Sequence, residues 1–174
     1  MYTTVYVNST CLNHGKSHAL GSIGICVIPS HNPDDIITYS DFISKTGVVY
    51  DKYNLTQITS KSMDLLSCLV GITYIDKDKV NYFYTDSMYI YKMFVKWCKN
   101  LDTGVKLQKN TKHYKLVKLL LEEYKTKNII CKYSNISCTA NKGTKEYKDW
   151  SGNNRAYKLA IGALADGIKT NYLK

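Results

Sequence analysis

The chain has 174 residues, 44% of them hydrophobic, enough to form one domain with a sizeable core. Its net charge of +10 suits a polyanionic partner, and no apolar run approaches the roughly 20 residues that span a membrane. The N-terminal segment is polar and strand-like, without the charged-then-apolar pattern of a secretion signal, which predicts an intracellular protein.

Residues 2–8 alternate apolar and polar as a strand, Asn13-His14-Gly15-Lys16 reads as a hairpin turn, and 21–28 form a second strand that Pro29 and Pro33 end. A third strand is predicted over 36–43. From Gln57 to Tyr74 the apolar positions Leu65, Leu66, Leu69, Val70 and Ile72 recur at helical spacing. A strand over 79–84 and a helix over 85–99, with Tyr89, Met93 and Trp97 in line, follow. Thr111 can cap a helix that runs through Tyr124. Its inner stripe is Tyr114, Val117, Leu120, Leu121 and Tyr124, and its outer one Lys115, Lys118, Glu122 and Lys125. A last strand over 129–133, a loop over 137–151 and a helix over 152–168 complete the pattern. The order βββ-α-β-α-α-β-α predicts one α/β domain over residues 1–174. Its five-stranded mixed sheet has three antiparallel strands, then two parallel ones returned through helical crossovers, with helices flanking it.

The six cysteines include no C-x-x-C pair and sit mostly in apolar runs, so they read as reduced thiols rather than disulfides or zinc ligands. The charge is uneven. Residues 91–133 carry eleven lysines against Asp102, Glu122 and Glu123, a field that fits phosphates or, alternatively, a solvated lysine-rich surface in a chain of AT-rich coding bias. Arg155 is the one arginine in the sequence, so this charge is delivered by lysine point charges without bidentate base reading.

Four phrases carry chemistry: Val5-Tyr6-Val7-Asn8-Ser9-Thr10-Cys11, Ser62-Met63-Asp64-Leu65-Leu66, Tyr84-Thr85-Asp86-Ser87-Met88-Tyr89, and Gly152 through Ala160. In this order they resemble the type 1 ribonucleases H along nearly the whole chain. The resemblance implies a ribonuclease H-like fold whose first strand, first helix, fourth strand and last helix each bring a carboxylate to one place. There they hold two Mg2+ or Mn2+ ions about 4 Å apart for cleavage of the RNA strand of a hybrid.

Carried over position by position, the four acids become Asn8, Asp64, Asp86 and Tyr157. Asp64 and Asp86 remain as metal-ligand candidates. Asp64 also reads as an acid near a helix N-terminus, stabilised by the helix dipole, and Asp86 as an N-cap. Asn8 and Tyr157 are degenerate positions, and loss of one anionic ligand between two dications costs on the order of a hundredfold or more in rate. The family's histidine before the last helix is also missing, and the loop there offers Glu146, Tyr147 and Asp149.

Substrate contacts survive better in the resemblance. Thr10, Cys11, Asn13 and Ser60 stand where the family meets the RNA backbone and its 2′-hydroxyls. Lys96, Lys99, Lys106, Lys109 and Lys112 resemble its basic protrusion, with Trp97 either part of it or a core aromatic. Asn153 matches a last-helix asparagine at the nucleic acid or the active site.

These residues predict a nucleic-acid-binding domain for RNA/DNA hybrid or duplex with weak or no cleavage. Two alternatives stand beside it. One is a hybrid-specific endoribonuclease, either working as written or inactivated by an engineered Asp-to-Asn change at position 8. The other is a dead scaffold module that contacts a polymerase or another protein. The expected setting is nucleus, cytoplasm or a viral replication site, in a virus or parasite with an AT-rich genome.

Overall fold

The computed structural model describes residues 2–102, 113–134 and 141–172, with backbone alone at 97–102 and 172. Five strands form a sheet of order β3-β2-β1-β4-β5. They are β1 (Tyr2–Leu12), β2 (Leu20–Pro29), β3 (Ile37–Ile43), β4 (Val80–Thr85) and β5 (Ile129–Tyr133). β1–β2 and β2–β3 pair antiparallel, while β1–β4 and β4–β5 pair parallel, as the crossover argument requires. The helices are α1 (Val48–Lys52), α2 (Ser60–Thr73), α3 (Met88–Asp102), α4 (Tyr114–Lys125) and α5 (Lys145–Tyr172).

β1 lies at the centre of the sheet, and six consecutive residues from Thr3 to Asn8 are buried because helices cover both faces. Odd-numbered side chains Val5 and Val7 join Ile23, Ile25, Ile43 and Phe83 beneath α2 and α4, which contribute Met63, Leu66, Leu69, Leu116, Val117 and Leu120. Even-numbered Tyr6 faces the other way and packs with Cys26, Tyr84 and Ala156 of α5. α2 is buried nearly all round and starts in a reciprocal cap: Thr59 Oγ1 accepts from Ser62 N at 3.1 Å, and Ser62 Oγ accepts from Thr59 N at 2.8 Å.

Three sequence expectations need correction. α1 is a one-turn helix that carries no buried residue, too short to show a periodic pattern. α5 begins at Lys145 rather than Gly152, so half of the expected loop is helix. Thr144 Oγ1 accepts from Tyr147 N at 3.2 Å and caps it, and Glu146 sits favourably in the first turn. Gly152 is an interior residue: it faces the Tyr6 ring so closely that a Cβ would collide with it. Leu116 also joins the buried face of α4, which the expected stripe omitted. Thr111 lies outside the described residues, and α4 follows His113, whose φ is 58°.

α5 crosses the sheet over β2, β1 and β3. Its closest approach is at Gly24 of β2, where an added Cβ would lie 2.6 Å from Ala160 N and nearer still to Ala156 O. Both obstacles are backbone, so neither can turn aside. Gly24→Ala should therefore destabilise the fold by about 1–3 kcal/mol or more, read as a lower denaturation midpoint at unchanged m-value. An unchanged midpoint would mean that α5 does not pack this closely.

Candidate functional site

The register of two strands builds the site. β1 and β4 run parallel with Tyr6 opposite Tyr84 and Val7 opposite Thr85. One step further, Asn8 and Asp86 stand side by side on the α5 face. Asn8 is 4% exposed, and its Nδ2 donates to Asp86 Oδ2 at 2.9 Å. Its Oδ1 accepts the Ser9 N–H at 2.9 Å, which fixes the amide orientation because that N–H needs an oxygen. The Asn8 amine is thus turned toward the carboxylate.

Ser9 and Ser87 alternate to the opposite face, where Asp64 arrives from the second turn of α2. Ser9 Oγ donates to Asp64 Oδ1 and Ser87 Oγ to Oδ2, each at 2.6 Å. Asp64 lies beyond the first turn of its helix, so the helix-terminus reading fails. The N-cap reading of Asp86 fails as well. Ser87 fills that role at α3, with its Oγ accepting from Ile90 N at 3.4 Å and its carbonyl accepting from Tyr91 N at 3.0 Å. Sequence reasoning missed both serines as partners, although each directly follows a site residue and strand alternation makes it face the other way.

Burial raises the pKa of Asp64 above the ordinary value of 3.8, against the pull of the Ser87 and Ser9 hydrogen bonds. Burial also raises Asp86, which the Asn8 hydrogen bond lowers and the nearby Asp64 charge raises further. The Cys11 thiol and the Tyr89 phenol are likewise raised, first by burial and then by the Asp64 charge, so both stand near that carboxylate.

On the α5 side, Tyr6 and Tyr84 stack at 4.9 Å and both hydroxyls donate to Asp149, at 3.3 and 3.0 Å. Burial and the Asp149 charge raise both phenols. Asp149 is therefore engaged in anchoring α5 to β1 and β4. Along with Glu146 and Tyr147 it belongs to the first turns of α5 rather than to a loop.

Tyr157 lies on α5 and is 37% exposed, one residue past the Ala156 that abuts Gly24, the strand partner of Asn8. Asn153, the expected nucleic-acid or active-site contact, is 0% exposed within α5. Among the described residues its Oδ1 and Nδ2 have no hydrogen-bond partner, a state that costs a buried amide about 1–3 kcal/mol.

Thr10 and Cys11 are half-buried at the end of β1, and Asn13 is exposed with φ 54° in the turn that follows. Ser60 is exposed at the start of α2 and donates its N–H to His14 Nδ1 at 3.0 Å, so an unanticipated histidine ties that turn to the helix. Gly15 N reinforces the tie by donating to Ile58 O at 2.9 Å. These four expected contact residues thus border one end of the sheet.

Lys96 is exposed on α3. The Lys99 and Trp97 side chains, and all of Lys106, Lys109 and Lys112, lie outside the described residues. Of the other lysines between 91 and 133, Lys127 is not available to a ligand: its Nζ donates to Ile72 O at 2.7 Å and pairs with Glu123 at 3.3 Å, closing the end of α2.

A carboxyl whose native pKa is raised destabilises the fold in its ionised form. That cost is full above the raised native value and shrinks as pH falls through it toward 3.8. Asp64→Asn should therefore melt above the wild type at pH 7, and the gap should narrow as pH falls toward about 4. Thermal denaturation across that range checks this, and a variant less stable at pH 7 would contradict it.

No family model matches the chain, and no curated protein matches it in sequence. Solved structures match in shape. LC9-RNase H1, a type 1 RNase H with the type 2 active-site motif, is 18% identical with a TM-score of 0.60, over 95% of this chain and 72% of that one. The PFV RNase H domain is 16% identical with a TM-score of 0.63, over 94% of each chain. The foamy viral protease-reverse transcriptase in complex with RNA/DNA hybrid is 14% identical with a TM-score of 0.64, over 92% of this chain and 20% of that one. The chain thus spans about a fifth of the whole viral enzyme. The mixed sheet, its strand order and these likenesses establish that the chain has the ribonuclease H fold.

Proposed function

We propose that the chain binds RNA/DNA hybrid or duplex through this fold and cleaves it weakly or not at all. The observation that carries the reading is the hydrogen bond from Asn8 to Asp86. In a metal-dependent nuclease a cation would neutralise the anion there; here an amide N–H occupies that role and Asn8 brings no charge. Asp64 has both oxygens engaged by hydroxyls. Among the described residues no three His, Cys, Asp or Glu side chains gather around a common point. Asp64 and Asp86 alone are a poor fit to a two-cation centre, and no cleavage step is assigned to them.

Binding draws support from other features. The net charge is +10, and a structure of the same fold holds RNA/DNA hybrid. Thr10, Cys11, Asn13 and Ser60 border the site, Lys96 is exposed on α3, and the sequence carries the further lysines Lys99, Lys106, Lys109 and Lys112. The scaffold alternative has its own support. Beyond the reach of α5, Tyr2, Val80 and Ile130 are 48%, 37% and 39% exposed on one sheet face, an apolar strip suited to a protein. Among the described residues no helix is long and apolar enough to cross a membrane.

A labelled RNA/DNA hybrid tests both halves. With Mg2+ or Mn2+ the wild type should leave it intact, and Asn8→Asp should raise cleavage on the order of a hundredfold or more. Robust wild-type cleavage that Asp86→Asn abolishes would overturn the degenerate-site reading. Binding should fall with salt at a log–log slope of roughly −4 to −5, and joint neutralisation of Lys99, Lys106 and Lys109 should flatten it by about two to three. No binding at low salt would leave the scaffold reading.

A further inference from the structure

The two carboxylates set a problem for any phosphate that approaches them, because Asn8 brings no positive charge to offset them. A cation does stand close by. Lys61 is an exposed residue of α2, three positions before Asp64 and thus on a neighbouring part of the same helix surface. Its Nζ lies 5.2 Å from the centre of the Tyr89 ring, a cation–π distance. Tyr89 belongs to the first turn of α3, two residues after Ser87, and is half-buried against the main core. Ser87, two residues before Tyr89, donates from its Oγ to Asp64 Oδ2 at 2.6 Å, which puts the lysine, the ring and the carboxylate at one edge of the site.

Lys61 makes no ion pair among the described residues, in contrast with Lys79, Lys118 and Lys127. An aromatic face holds an ammonium without cancelling its charge. A lysine so placed keeps its electrostatic field for a ligand and gives up less freedom when the ligand binds.

We propose that Lys61, held over Tyr89, is a phosphate-binding residue that steers the backbone of a nucleic acid to the edge of the Asn8–Asp64–Asp86 site. The inference rests on the nucleic-acid reading above and adds a contact specific to these two side chains. Tyr89 acts as the positioning residue: its ring fixes the ammonium, and its hydroxyl is dispensable to that task. Lys61 neutralises one phosphate and carries no base specificity.

The test measures RNA/DNA hybrid binding by the full chain over a salt series. Lys61→Met should weaken binding roughly three- to tenfold at low salt and reduce the magnitude of the log–log slope by about one. Tyr89→Phe should bind as the wild type does. Tyr89→Leu should weaken binding, and in combination with Lys61→Met it should add less than the sum of the single effects. Lys79→Met, at the opposite end of β4 and paired with Asp76, should leave the slope unchanged. If the wild type binds but Lys61→Met keeps the full slope, the inference is overturned while nucleic-acid binding stands. An equal loss with Lys79→Met would also overturn it, by showing a response to total charge alone. If the wild type fails to bind at low salt, the nucleic-acid reading itself falls. Circular dichroism melts confirm that each variant is folded, and Tyr89→Phe keeps the aromatic test valid if Tyr89→Leu unfolds.

Discussion

Parallel pairing of β1 with β4 is the constraint on which the site depends. The last paired step, Val7 with Thr85, leaves Asn8 and Asp86 adjacent where the parallel pairing of β1 and β4 ends. Two carboxylates placed there would repel one another in a poorly solvated spot and would require a cation. An amide changes the arrangement: Asn8 donates to Asp86 and accepts from Ser9 N, so its two polar atoms each find a partner. Alternation along the same strands then turns Ser9 and Ser87 to the other face, where they hold Asp64. Three residues, Asn8, Ser9 and Ser87, thus supply the side-chain hydrogen bonds to both acids.

The far side of the sheet is organised around α5. Asp149 gathers the hydroxyls of the stacked Tyr6 and Tyr84, and Gly152 and Gly24 allow the helix to lie close to β1 and β2. Ser22 Oγ adds a hydrogen bond to Ala160 O at 2.6 Å, two turns past Gly152. These contacts set the path that encloses Asn153 and leaves Tyr157 partly open to solvent. A bulky phenol at the latter position is tolerated because the neighbouring Ala156, rather than Tyr157, makes the tight contact with the sheet.

Most of the fold was legible in the sequence because its signals were local. Strand alternation in 2–8, the helical spacing of Leu65, Leu66, Leu69 and Val70, and the crossover order lead to the observed sheet. The start of α5 was hidden because Gly152 resembles a helix boundary, whereas its purpose is tertiary: room for the Tyr6 ring. Of the expected positions, Asn8 meets Asp86 through a hydrogen bond, and Asp64 is tied to the serines that follow them. The chemistry of the site was not legible, because whether a serine donates to a distant acid depends on strand register, which no single phrase contains. Similarly, lysine counting could not reveal that Lys127 is spent on the end of α2, or that Lys61 rests on an aromatic ring.

The central claim is that hydrogen bonds, rather than cations, complete this carboxylate site. Calorimetric titration of the wild-type chain with Mg2+ and with Mn2+, alongside Asp86→Asn, tests it most directly. The account predicts no saturable binding at millimolar metal in the wild type and no difference between the two proteins. Saturable binding in the wild type that Asp86→Asn removes would contradict it.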